Sequence, residues 1–170
     1  MSQIPPLTLI LGGAKSGKTA HALALAEAAG QQRSYVATAE AFDAEMAAKI
    51  EAHKAERGAG WSTVEAPLDL CAALQGAEGV VLVDCLTLWL SNLMHHARDV
   101  EAEAKALLEA LEHGAGPVIL VSNELGLGLV PETALGRRFR DAQGRLNQQV
   151  AAAADRVEFL AAGLPLRLKG

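Results

Sequence analysis

Short apolar runs alternate along the chain with longer stretches in which apolar residues recur at helical spacing. The runs Leu7–Leu11, Arg33–Thr38, Val80–Asp84 and Val118–Ser122 have the length and content of buried strands. Two more, Arg156–Ala161 and Pro165–Leu168, follow near the end. Between them the spacing predicts helices over Lys18–Ala29, Asp43–Arg57, Leu68–Leu74, a region around Leu86–His96, Val100–His113 and Leu135–Ala154. Strands alternating with helices imply an α/β protein, a mainly parallel sheet covered by helices on both faces. Little more than Gly163 separates the last two strands, which reads as an antiparallel hairpin at a sheet edge. No repeat, low-complexity tract or linker interrupts the pattern, so residues 1–170 read as a single domain.

Composition narrows this picture. Apolar residues make up 51% of the 170 and aromatics only 4%, so the core is expected to be aliphatic and helix-rich. A formal net charge of -5 argues against a general nucleic-acid binder, which would show a basic stripe. Cys71 and Cys85 have no metal-ligand spacing and form no disulfide framework; they read as reduced core residues. No basic region precedes Leu7–Leu11, and that run is too short for a signal peptide. Val80–Leu93 is broken by Asp84 and Ser91-Asn92 and is too short to span a bilayer. A soluble, cytoplasmic protein without a membrane span is expected.

The first strand runs into Gly12-Gly13-Ala14-Lys15-Ser16-Gly17-Lys18-Thr19, the G-x-x-x-x-G-K-[ST] spacing of a phosphate-binding P-loop, and a helix follows. Glycines let the backbone curl so that successive N–H groups face one anion. The helix N-terminus adds partial positive charge. Lys18 is placed to reach the β/γ-phosphates, and the Thr19 hydroxyl to ligate Mg2+. Asp84, closing the apolar strand Val80–Val83, is the expected second Mg2+ partner. Alone that acid is a weak signal, since many buried strands end in Asp.

Three further segments carry polar groups of open meaning. Ser122-Asn123-Glu124 ends the strand Val118–Val121 where open α/β sheets bind ligands, although the same residues also make caps and turns. Gly126, Gly128 and Pro131 then form a loop suited to facing a substrate. Lys49, His53 and Arg57 stand four apart on one helix stripe, with Lys54 beside them. A histidine among cations tends to be neutral and nucleophilic. On residue types alone, a solvated helix face is the better reading. Arg137, Asp141 and Arg145 share another stripe, within the densest basic cluster; they fit phosphate neutralisation and a subunit interface equally. His21, His95, His96 and His113 read as surface or cap residues.

With these residues in view, the chain resembles the bifunctional adenosylcobinamide kinase/adenosylcobinamide-phosphate guanylyltransferase family of cobalamin synthesis, from Leu7 to Lys169. The shared marks are the P-loop, Tyr35-Val36-Ala37-Thr38-Ala39, His53-Lys54 with Arg57, then Trp61, Thr63, Glu65 and Val83-Asp84-Cys85-Leu86-Thr87. More specific are Ser122-Asn123-Glu124-Leu125-Gly126-Leu127-Gly128-Leu129-Val130-Pro131 and Phe139-Arg140-Asp141-Ala142-Gln143-Gly144-Arg145-Leu146-Asn147-Gln148. The resemblance implies a RecA-like P-loop fold, homotrimeric assembly and two reactions. One phosphorylates the aminopropanol hydroxyl of adenosylcobinamide with ATP or GTP. The other moves GMP from GTP onto the resulting adenosylcobinamide phosphate, through a GMP–histidine, and releases pyrophosphate. The matching histidine is His53, which overrides the solvated-face reading. The resemblance also puts Thr38, Ala39 and Glu40, then Lys54, Ala55, Glu56 and Arg57, and Glu65 and Asp84, around the guanine nucleotide. Lys15 stands where Arg is common and Thr19 where Ser is common; both keep the chemistry. Glu40, Ala55 and Glu56 occupy variable positions, so contacts there would run through backbone.

Two rivals remain on sequence. One is a P-loop kinase for another small metabolite, with His53 structural. The other is a nucleotide-controlled switch without a small-molecule substrate.

Overall fold

The computed structural model describes residues 4–41, 44, 47, 48, 50, 51, 54, 57–114 and 116–170. They form one seven-stranded sheet. Its strands are β1 (Leu7–Gly12), β2 (Arg33–Ala37), β3 (Trp61–Glu65), β4 (Val80–Asp84), β5 (Val118–Asn123), β6 (Arg156–Ala161) and β7 (Leu164–Lys169). The order across the sheet is β3-β2-β4-β5-β1-β6-β7. Every pair is parallel except β6–β7, which is the expected edge hairpin. Ala162 (φ 52°) and Gly163 (φ 78°) turn it, both in the left-handed region that tight hairpin turns need.

Helix α1 (Lys18–Ala29) covers one face of the sheet. Its buried residues, Lys18, Ala22 and Ala26, recur every four positions, and the two alanines let the helix approach Ile10, Leu82, Ile119 and Val121 closely. The other face carries α2 (Leu70–Gly76), α3 (Leu86–His95), α4 (Val100–Glu112) and α5 (Ala134–Ala153). There Leu9, Leu11, Val83 and Leu120 meet Leu86, Trp89, Leu90, Leu107, Leu146 and Val150 in the larger core cluster. The core is aliphatic, as composition implied, with Trp89 the single aromatic among the fully buried large side chains of the described residues. Asp99 caps α4, accepting from Glu101 N and Ala102 N, and Thr133 caps α5, accepting from Gly136 N.

Two departures from the sequence reading stand out. Strand β3 was not predicted, since Trp-Ser-Thr-Val-Glu is half polar and has no buried residue. It is an edge strand held by β2 alone, so its alternation carries little apolar signal. The predicted helix Asp43–Arg57 falls partly outside the described residues. Within it Ala44, Ala47, Ala48, Ile50, Glu51 and Lys54 are helical, whereas Arg57 lies in a bend.

Candidate active site

The C-terminal ends of the parallel strands bring the predicted residues to one edge of the sheet. Gly12 closes β1 in register with Asn123 of β5 and Leu160 of β6. The chain then wraps through residues 13–17 into α1. Gly17 adopts φ 96°, which favours glycine, and a Cβ there would crowd Gly163 Cα at 3.2 Å. Gly163 N donates to Ser16 O (2.8 Å), which ties the β6–β7 turn to the back of the P-loop. Lys18 is buried, and its Nζ donates to Gly13 O (2.5 Å) and Ser16 Oγ (3.4 Å), so the ammonium lies inside the loop's own curve. Burial holds its pKa below the ordinary lysine value, against the opposing pull of the nearby Asp84 charge.

Strand β5 lies between β1 and β4, yet Thr19 reaches across it: Thr19 Oγ1 donates to Asp84 Oδ2 at 3.1 Å. The Tyr35 hydroxyl donates to the same oxygen at 2.7 Å. Burial, then the Asp84 charge and the bond it accepts, push the Tyr35 phenol upward, so it remains a donor at neutral pH. A hydroxyl and a carboxylate oxygen side by side are hard donors that suit Mg2+, and Thr19 and Asp84 would hold it beside the P-loop. Among the described residues no three His, Cys, Asp or Glu side chains cluster as metal ligands.

The other predicted nucleotide residues divide into two groups. Thr38 is fully buried, and its groups bond within the protein. Its Oγ1 donates to Cys85 O (2.7 Å) and accepts from Cys85 N (2.8 Å), its N donates to Asp84 O, and its O accepts from Asn92 Nδ2. Thr38 therefore locks the end of β2 to the end of β4. Ala39 and Glu40 follow it half-buried, and Glu40 pairs with His96 Nε2 at 3.1 Å. On the far side, Lys54 Nζ donates to Glu65 Oε1 (2.5 Å) and Glu51 Oε1 (2.8 Å); these bonds, Glu51's first, raise the lysine's pKa. Arg57 stacks its guanidinium on Tyr35, Cζ lying 3.8 Å from the ring centroid, and donates to Thr63 Oγ1. His53, Ala55, Glu56 and also Lys49 lie outside the described residues.

The Ser122–Pro131 strand-end loop and the Phe139–Gln148 stretch of α5 turn out to be wired to each other. Ser122 Oγ donates to Asn147 Oδ1 (2.6 Å), Gln143 Nε2 donates to both, and Asn147 Nδ2 donates to Asn123 O. Asn123 N donates to Thr87 Oγ1. Glu124 folds back on its own loop, accepting from Gly126 N (2.6 Å) and Leu127 N (3.0 Å), while its N donates to Gly12 O. The polar residues of this strand end thus shape the loop and anchor it beside the P-loop. What the loop shows to solvent is apolar: Leu127 is 83% and Leu129 96% exposed, with Val130 and Leu135 also exposed. Arg137 clamps the loop's end, donating to Pro131 O and Glu132 O. Arg138 and Arg145 line a separate cavity of about 770 Å³ with Met94, Arg98 and Leu146, and no P-loop residue borders it.

Sequence reasoning missed two participants. Tyr35 carried no assigned role, although a lone tyrosine in an apolar strand near a strand-end acid is a readable signal. His21, read as a surface or cap residue, is half-buried, and its Nε2 lies 2.7 Å from Oε2 of the buried Glu158, which Arg156 and Arg167 also hold. Glu158 sits inside a strand that reads as apolar, and only the fold brings His21 to it. Cys85 is buried and Cys71 half-buried, and burial raises both thiols, consistent with inert core residues.

A P-loop between strand and helix, answered by an acid at the end of a second parallel strand, defines a P-loop nucleotide-binding α/β protein. Two solved structures share the fold at 11% identity: a prototypical ATPase of a type III secretion system (TM-score 0.58, covering 95% of this chain and 56% of that one) and the type III secretion ATPase EscN of enteropathogenic E. coli (TM-score 0.56, covering 93% and 43%). Within that class, residues 8–168 match the family described as cobinamide kinase / cobinamide phosphate guanyltransferase, and the chain belongs to it. It is 50% identical over 167 residues to the bifunctional adenosylcobalamin biosynthesis protein CobP of Pseudomonas aeruginosa, covering 95% of this chain and 96% of that protein. It is 39% identical to the bifunctional adenosylcobalamin biosynthesis protein CobU of Escherichia coli K12, covering 96% and 99%. The Salmonella typhimurium CobU is 38% identical at the same coverage.

Proposed function

We propose that this protein is the bifunctional enzyme of its family, a single P-loop domain that phosphorylates adenosylcobinamide and then guanylylates the product. The observation that carries this is the family match over nearly the whole chain, joined to a P-loop whose Thr19 and Asp84 already touch. In the kinase step the aminopropanol hydroxyl oxygen bonds to the γ-phosphorus of ATP or GTP, the bond from that phosphorus to the β–γ bridging oxygen breaks, the nucleoside diphosphate leaves with the electron pair, and the hydroxyl proton passes to solvent. Lys18 and the backbone N–H groups of residues 13–19 steady the charge on the transferred group. Mg2+ bound with the nucleotide would neutralise phosphate charge beside Thr19 and Asp84.

In the second reaction an imidazole nitrogen of His53 forms a bond to the α-phosphorus of GTP. The bond from that phosphorus to the bridging oxygen breaks, and pyrophosphate departs with the electron pair. A phosphate oxygen of adenosylcobinamide phosphate then attacks the same phosphorus, the P–N bond breaks, and His53 is regenerated. Two easier displacements replace one difficult one. Arg57, Lys54 and Glu65, on the β2–β3 side of the site, are read as guanine-nucleotide contacts, with Thr38, Ala39 and Glu40 behind them and Ala55 and Glu56 alongside.

We further infer a cytoplasmic homotrimer without nucleic-acid or membrane partners. Nucleoside triphosphates are cytoplasmic, the chain is acidic, and among the described residues no helix is long and apolar enough to cross a membrane. Edge strand β7 leaves Leu164, Leu166 and Leu168 exposed, a surface that assembly would cover.

The deciding experiment incubates the protein with α-labelled or γ-labelled GTP, with and without adenosylcobinamide. The expected result is γ-label on the corrinoid and α-label on His53, as an acid-labile, alkali-stable adduct that His53→Ala lacks. Acceptor-independent hydrolysis with no protein adduct would instead point to a nucleotide switch.

A further inference from the structure

Tyr35 is the single tyrosine of the chain, and it stands two residues before the end of β2. It is 7% exposed and packs on the α1 face of the sheet. Its hydroxyl donates to Asp84 Oδ2 at 2.7 Å, on the oxygen that Thr19 also approaches. The Arg57 guanidinium covers its ring at 3.8 Å, and Trp61 meets the ring edge-on, centroids 6.1 Å apart at 76°. A tyrosine that merely fills a core needs apolar neighbours and one polar partner at its tip. This one has a carboxylate at its tip and a cation on its face. The two come from separate chain segments, the end of β4 and the bend before β3.

We propose that Tyr35 is a positioning residue for nucleotide transfer, fixing Asp84 through its hydroxyl and Arg57 through its ring. The hydroxyl bond sets the rotation of the Asp84 carboxylate, so its plane is defined before Mg2+ and nucleotide arrive. Outer-shell donors of this kind orient a ligand and commonly change metal affinity when removed. The ring gives the long Arg57 side chain a surface on which one orientation prevails, by cation–π attraction. One rigid side chain thereby fixes the spacing between the metal-side acid and an anion-side cation. This inference rests on the nucleotide-site reading of the P-loop, not on the identity of the acceptor.

Tyr35→Phe deletes the hydroxyl and keeps the ring. Mn2+ is titrated into the protein with a non-hydrolysable GTP analogue, and free Mn2+ is read by electron paramagnetic resonance. The variant is expected to bind the ion about tenfold more weakly, with unchanged affinity for the analogue in EDTA. In an Asp84→Asn background the same substitution should change Mn2+ affinity no further, because the group it positions is gone. Tyr35→Leu should additionally weaken metal-free analogue binding about fivefold, through loss of the Arg57 stack. Wild-type Mn2+ affinity in Tyr35→Phe, or an equal extra loss in the Asp84→Asn background, would show the hydroxyl to be a packing feature and overturn the proposal. Should Tyr35→Leu not fold, Tyr35→Phe and the double mutant decide the hydroxyl's part, and Arg57→Leu, read by metal-free analogue affinity, decides the ring's: wild-type affinity there overturns it. A wild-type protein that binds Mn2+ and analogue but leaves adenosylcobinamide unmodified would overturn the proposed acceptor, while the Mn2+ titrations still judge Tyr35.

Discussion

The P-loop and the loop after β5 leave the sheet side by side, from Gly12 and Asn123 paired in register, yet they are built in opposite ways. Residues 12–19 join Asp84, Tyr35 and Arg57 in a closed set of hydrogen bonds and a stacked ring, with Lys18 and Tyr35 buried. Residues 124–131 turn their polar groups inward, onto Gly12, Gly126 and Leu127, and present bare leucines to solvent. The first region addresses charge that every nucleotide carries, so its chemistry is general. The second offers an exposed apolar surface on a loop that starts beside Gly12, and such a surface suits a large amphipathic acceptor. The difference suggests a division of labour: donor binding by a prewired polar cluster, acceptor choice by an apolar loop.

The largest effect should come from the polar half. Lys18→Ala is expected to lower kcat/KM at least about a hundredfold in both reactions, since one ammonium would serve the phosphates that each requires. Nucleotide titration and turnover of the folded variant measure this, and unchanged values would remove the P-loop from the site. Asp84→Asn should follow, with a metal-dependent loss of about ten- to a hundredfold and a denaturation midpoint near wild type. Asparagine keeps an oxygen for Tyr35 and Thr19 while removing the charge that would hold Mg2+. A fully active variant indifferent to Mg2+ would leave Asp84 a strand-end residue only.

The apolar half should respond differently. Leu129→Asp places charge where one leucine is 96% exposed, so folding should be undisturbed. If an acceptor covers that leucine, losing about 1.5 kcal/mol of burial raises the KM for adenosylcobinamide about tenfold, with GTP affinity unchanged. A parallel fall in GTP affinity would break the comparison. A change in particle mass with unchanged KM would make the loop a subunit contact instead.

The unequal legibility of these regions has a physical origin. Gly12–Thr19 could be read because backbone conformation and phosphate chemistry dictate residue types at fixed spacing within one segment. Strands β1, β4 and β5 could be read because burial on both faces writes continuous apolar runs. Strand β3 could not, because an edge strand with little burial keeps almost no pattern. The roles of Ser122, Gln143 and Asn147 were equally hidden. Their hydrogen bonds join positions more than twenty residues apart, and sequence shows only polar residues that caps and turns would also use. Thr38 shows the same effect in reverse, since a family motif residue turns out to bond the ends of two strands.

The smallest expected effect on catalysis lies at the brace behind the polar half. Glu158 in β6 accepts from Arg156 and Arg167 and pairs with His21, one turn into α1 past Lys18. Burial alone would raise its pKa, but the His21 bond and the Arg156 bonds and charge outweigh it, so the carboxyl sits below the ordinary value of 4.5. A depressed pKa means that the folded state prefers the ionised form. The stabilisation is complete above the unfolded pKa and is lost as pH falls through the lower, folded one. Wild-type protein should therefore lose stability below about pH 4.5 in part through this residue. Glu158→Gln, which keeps the shape and removes the charge, should cost about 2 kcal/mol at pH 7 and flatten that acid limb. Its turnover at pH 7 should remain within about threefold of wild type, because the hairpin turn still bonds Ser16 directly. Urea midpoints across pH 3 to 7, compared between the two proteins, measure the effect. If the variant's acid limb is as steep as wild type, other carboxylates set it. If turnover instead collapses with Lys18-like severity, the brace is part of the phosphate site, and the polar half extends through α1 to the sheet edge.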